Sequence, residues 1–247
     1  PDFSQLQTLP LTVDGLVSWS FFSTKRGDIL AIVSSKVVSA KQPARLSLSF
    51  YQLKSPQDVS LIYTMPRSEP SFVFYVPSDQ IIVLSATKME LYDWNSFWPD
   101  EPLLEDIKPK APTNVAPDEV VEIKGAQLDM IAAKISPNFD KIYTLVNAEG
   151  QLKIHILNVF DITQSTDIAT DPVTPTQFAG SSFAKQGRLF ILPTQNGTVF
   201  YDMTSLAQKR EVARWKQPAY FVDVTNGGQF ICAALGVQGV YCGELLF

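Results

Sequence analysis

An all-β fold built from about five repeats is the class this sequence predicts, and three observations predict it. Apolar runs of four to eight residues, rich in Val, Ile, Phe, Tyr and Leu, alternate with Asn-Gly, Gly-Gly, Glu-Gly and Pro-Ser turns, which is how short strands joined by hairpins read. The second apolar run of each copy starts near Ile29, Ile81, Ile142, Leu189 and Phe230, in steps of 52, 61, 47 and 41 residues. These steps overlap β-propeller blade lengths of about 40 to 50 residues. Proline recurs 17 times in 247 residues and no long segment repeats apolar residues at i, i+3, i+4 and i+7, so helix is disfavoured.

Taken in order, the first copy runs through residues 16–22, a Lys25-Arg26-Gly27-Asp28 turn, 29–34, a loop over 35–43 and a third run over 44–53. The second copy spans 72–94, the third 130–157, the fourth 182–203 and the fifth 220–245. The outermost strand of a blade is the most polar one, and residues 59–65, 120–124 and 210–215 take that place, with a weaker candidate near 162–168. The last copy stops after its third strand, while residues 3–9 form an orphan strand ahead of the first. An N-terminal segment that supplies the outer strand of the final blade closes a ring and removes exposed edges. The expectation is therefore one domain, 1–247, of about five four-stranded blades, the alternative being a fragment of a larger propeller. The start at Pro1-Asp2 without Met fits an excised piece of a longer protein or a processed product.

Composition bounds the function. Apolar residues make up 45% and charged residues 18%, enough to bury a sizeable core. A net charge of −5 argues against a whole-surface attraction to nucleic acid or anionic lipid. No stretch has the roughly 20 consecutive apolar residues of a membrane-spanning helix. With Gly236 placed opposite Gly239, Cys232 and Cys242 fall on opposite faces of one hairpin, which predicts free thiols, a reducing compartment and a cytoplasmic or nuclear location.

Residues 136–141, Ser-Pro-Asn-Phe-Asp-Lys, followed by the Ile142 run and a Glu149-Gly150 hairpin, together with Tyr92-Asp93 and Tyr201-Asp202 closing third strands, resemble a divergent WD40-type β-propeller over nearly the whole chain. No Gly-His pair occurs, so the resemblance implies blades held by apolar packing rather than by the family's buried His-Asp network. No subfamily is implied.

Chemistry-bearing patterns are sparse. His155, the single histidine, is flanked by Ile154 and Ile156 and reads as a hydrogen-bonded strand residue. No nucleotide loop, zinc or calcium spacing occurs, so catalytic residues, metals and cofactors are expected to be none. The alternative, a carbohydrate-active or small-ligand-binding five-bladed propeller, would use Asp223, with Lys134 on a neighbouring blade and Asp14 as a possible second carboxylate.

The favoured expectation is a non-enzymatic protein–protein interaction scaffold, a subunit or domain of a larger assembly. Two segments break the repeat rhythm. Residues 99–127 carry five prolines, seven acidic and three basic residues and form the main candidate docking insertion between blades two and three. Residues 158–177 form a smaller one. The candidate partner-binding residues are Trp94, Phe97 and Trp98 beside the insertion, Leu103 and Leu104 within it, and Lys209, Arg210, Arg214 and Trp215 on a mixed basic and apolar strand, where nucleic acid is conceivable but not supported.

Overall fold

The structure, a computed structural model, describes residues 11, 13–37, 42–55, 58–98, 114–123, 129–161, 164–168, 170–206, 210–225 and 228–245. It is all-β, with five small antiparallel sheets, none closed into a barrel. In every sheet the strands neighbour one another in chain order, as expected when each hairpin is closed by a local turn.

Two compact units divide the chain, residues 1–123 and 124–247. The first holds sheet 1, β1 (Leu16–Thr24), β2 (Gly27–Lys36), β3 (Arg45–Ser55) and β4 (Asp58–Arg67), and sheet 2, β5 (Ser71–Val76), β6 (Gln80–Ser85), β7 (Lys88–Asp93) and β8 (Glu119–Glu122). The second holds sheet 3, β9 (Asp129–Ile135), β10 (Lys141–Ala148), β11 (Gln151–Asn158) and β12 (Ser165–Ile168), and sheet 4, β13 (Ser182–Ala184), β14 (Leu189–Thr194), β15 (Gly197–Asp202) and β16 (Arg210–Trp215). Sheet 5 has three strands, β17 (Phe221–Val224), β18 (Phe230–Ala234) and β19 (Val240–Glu244). The orphan segment 3–9 lies outside the described residues.

Strand periodicity explains the cores. In β2, Ile29, Ala31 and Val33 alternate onto one face, meet Leu48 and Phe50 of β3, and pack on Val73, Ile81 and Val83 of sheet 2. A second core joins Tyr143, Leu145, Ile154 and Ile156 of sheet 3 to Phe190, Leu192 and Val199 of sheet 4. A third joins Ile191 and Phe200 of sheet 4 to Val222, Ile231 and Ala233 of sheet 5. The Glu149-Gly150 hairpin is a two-residue loop with both residues at positive φ, 54° and 83°, the turn whose twist matches paired strands.

Two expectations are corrected. Where helix was disfavoured, a short one, α1 (Pro175–Ala179), overlaps the end of the 158–177 insertion: Thr174 and Gln177 form a capping box and Pro175 opens the first turn, an arrangement that needs no long apolar period. The cysteines are also not free, because Cys232 and Cys242 form a disulfide. The hairpin loop is longer than the Gly236–Gly239 pairing assumed. Gly236–Gln238 form a 3-10 turn, the Leu235 N–H donates to the Gly239 carbonyl at 2.8 Å, and Ala234 faces Val240. This one-residue change of register sets Cys232 directly opposite Cys242, with their Cα atoms 4.1 Å apart. The argument from free thiols to a reducing compartment falls with it. No helix among the described residues is long and apolar enough to cross a membrane.

Candidate functional site at the foot of the insertion

The first unit gathers aromatic and charged side chains where residues 99–113 leave and rejoin the sheets. After β7 the chain turns through a 3-10 helix, Trp94–Phe97, whose first turn is capped by the Asp93 carboxylate accepting from the Asn95 N–H. Trp94 and Phe97 are fully buried, and Trp98 is half-buried. The Phe50 ring lies 4.8 Å from Phe97 and 5.5 Å from Trp94, and Trp98 meets Trp94 edge-on at 5.6 Å. Arg26 stacks over Trp98 at 5.0 Å. These three candidate residues therefore form a packed clamp. Leu103 and Leu104 lie outside the described residues.

Tyr63 of β4 meets the chain just before the insertion and again within it. Its ring packs 5.5 Å from Phe97, and its hydroxyl oxygen accepts from the Val115 backbone N–H at 3.0 Å. The sequence signal for Tyr63 is weak, because an aromatic in a polar outer strand looks like ordinary strand composition.

Beside this clamp lies a pocket of about 280 Å³, lined by β4, β7, Asn114 and Val115. Arg67 at the end of β4 donates from Nη2 to Glu90 Oε2, Lys88 Nζ lies 3.0 Å from Glu90 Oε1, and Arg67 Nη1 reaches the Tyr92 hydroxyl at 3.5 Å. The side chains of Arg67 and Glu90 are 5% and 6% exposed. Burial pushes the Glu90 carboxyl up, but hydrogen bonds and charge from Arg67 and Lys88 outweigh it and hold Glu90 below the usual carboxylate range. Burial, with Glu90 adding to it, raises the Tyr92 phenol. Arg67 Nε is buried without an acceptor.

In the second unit, Arg214 donates to both Asp171 and Glu211. Its charge is answered locally, which leaves little for a phosphate. Trp215 packs on Tyr241 at 5.0 Å and lines a groove of about 360 Å³ with Phe200 and Ile231. Arg210 is exposed, opposite Asp202 in register, and Lys209 lies outside the described residues. His155 pairs with Asp167 across β11 and β12 at 2.7 Å, a strand histidine with a carboxylate partner. Lys134 donates to the Ser181 carbonyl at 2.5 Å, and burial lowers its amine to about 8 against the pull of Asp223. Asp223 is exposed, and Asp14 belongs to the first unit. Among the described residues no three His, Cys, Asp or Glu side chains converge as a metal site.

Against solved structures the chain is similar to a functionally unknown protein from Desulfotomaculum acetoxidans, with a TM-score of 0.55 at 10% identity over 92% of this chain and 65% of that one. It is also similar to Kluyveromyces lactis Hsv2p, with a TM-score of 0.50 at 12% identity over 90% of this chain and 57% of that one. The chain thus spans less than two thirds of the length of either, and at such identities the likeness speaks for an all-β fold alone. No family model and no curated protein matches the chain.

Proposed function

We propose that this chain is a non-enzymatic, propeller-type interaction module of a larger protein assembly, and that its partner docks at the 99–127 insertion. The observation that carries this reading is the position of Tyr63, which packs on Phe97 before the insertion and accepts from Val115 within it. Phe97 and Val115 are thereby fixed on one side chain, and fixed anchor points lower the ordering cost of recognition.

The finer fold belongs to the same proposal: five blades of WD40-like type, with residues 3–9 adding the outer strand to sheet 5. It is supported by the chain-ordered sheets and by a three-stranded sheet 5 beside four-stranded ones. Deleting residues 1–9 should then speed hydrogen exchange at alternate amides of β19. Unchanged exchange would favour the larger-propeller alternative, which the 65% and 57% coverage of the two solved proteins supports.

Docking is tested with a photo-crosslinking residue at Leu104 and, as a control on an exposed site, at Val37 (70% exposed). A defined partner adduct at Leu104 alone, lost when residues 103–112 are replaced by a Gly-Ser linker of equal length, is the expected result. The same adducts at both positions, or full retention of the partner by the linker variant, would overturn it.

A further inference from the structure

We propose that the pocket between Arg67, Lys88 and Asn114 receives a single carboxylate, the side chain of a Glu or Asp on an acidic partner segment. This deepens the docking reading above and rests on it. Two cations share one carboxylate in the pocket's lining, so Arg67, Lys88 and Glu90 together leave one positive charge there, with Glu122 opposite Lys88 in β8 but outside the lining; the pocket of about 280 Å³ has room enough for a carboxylate-bearing side chain. The charge is placed to be used: Glu90 and Arg67 are enclosed, while Lys88, at 28% exposure, opens outward.

Arg67 Nε–H is buried with no acceptor, and buried donors in native proteins nearly always have one. Tyr63 uses its oxygen to accept from Val115, which leaves its hydroxyl proton as a donor, and Asn114 lines the opening with an exposed amide. A carboxylate presents two oxygens and one negative charge, which matches the residual charge. A phosphate dianion would bring excess negative charge against Glu90, so the geometry favours the monoanion.

The test uses the full chain with arginine side-chain nitrogens observed by NMR, titrated with acetyl-Gly-Glu-Gly-amide, with its Gln counterpart and with inorganic phosphate. The Glu peptide should move the Arg67 Nε–H and the Asn114 amide signals, and the Gln peptide should not. Lys88→Gln should weaken the Glu response about tenfold, the loss of one charge-assisted hydrogen bond. Asn114→Ala, at an exposed position, provides a second weakened variant should Lys88→Gln unfold. Equal shifts with the Gln peptide, no shift with the Glu peptide, or a larger response to phosphate would each overturn the assignment. If the peptide fails while the Leu104 crosslink persists, only the carboxylate reading falls. If the crosslink fails while the peptide binds, the docking reading falls and the carboxylate contact stands.

Discussion

The seam between sheets 1 and 2 and the terminal sheet 5 are held by different chemistry. At the seam, aliphatic strand faces, the Trp94 and Phe97 clamp and an enclosed Arg67–Glu90 pair are all removed from water. Among the described residues sheet 5 has three strands and leaves Phe221, Phe230, Val240 and Tyr241 about half exposed or more. It is the sheet that carries the disulfide. The contrast teaches that a covalent link appears where burial is thin. Where burial is deep, a charged pair can be carried at the cost of its desolvation.

The largest effect should come from breaking the seam. Glu90→Ala strands the Arg67 guanidinium and should cost about 3–5 kcal/mol in denaturant unfolding, whereas the paired replacement Arg67→Met with Glu90→Leu should recover most of that loss. If the single change costs under about 1 kcal/mol, the pair is no more than a surface ion pair and the contrast collapses.

Next comes sheet 5, where Cys232→Ser with Cys242→Ser, or reduction of the wild type, should cost about 2–3 kcal/mol by the loop-entropy estimate for a short loop. Intact mass under non-reducing conditions should show the two thiols missing; two free thiols in the native protein would remove the staple from the comparison. A pH series adds a subtler difference. The Lys134 amine sits near 8 when folded, below its ordinary 10.5, so between those values the unfolded chain binds a proton that the folded one does not. Stability should therefore rise with pH through that window, by at most about 1.4 kcal/mol per pH unit. Lys134→Met should flatten the rise, and an unchanged slope in that variant would show another group responsible. The smallest effect is expected at Tyr63→Phe, which keeps the ring against Phe97 and loses only the Val115 hydrogen bond, about 1 kcal/mol. Faster hydrogen exchange at Val115 would confirm the local loss, and unchanged exchange would show that the hydroxyl pins nothing.

Most strands were legible because period-two alternation and turn residues are local signals. Residues 16–22, 59–65 and 210–215 became β1, β4 and β16 with extensions of at most a few residues, and even the weak 162–168 candidate holds β12. What escaped depends on register or on distant partners. A single residue of loop length decided whether Cys232 met Cys242. Thr174-Pro175-Thr176-Gln177 carries a capping-box signature that a search for long helices passes over. The corner made by Arg67, Lys88 and Glu90 joins strands from two sheets, 23 positions apart for Arg67 and Glu90, and nothing in either strand alone announces it. The aromatic run Trp94, Phe97 and Trp98 was visible as a cluster, but partners distant in sequence, Phe22, Phe50 and Tyr63, pack Trp94 and Phe97 inward.

Tyr63 brings the chain leaving at Phe97 and the chain returning at Val115 to one side chain. The spacing between Phe97 and Val115 is consequently set by the sheets that hold Tyr63. Doubling such a loop adds only about 0.6 kcal/mol of closure entropy. A foreign peptide spliced between Trp98 and Asn114 should therefore leave the folding of sheets 1 and 2 nearly untouched.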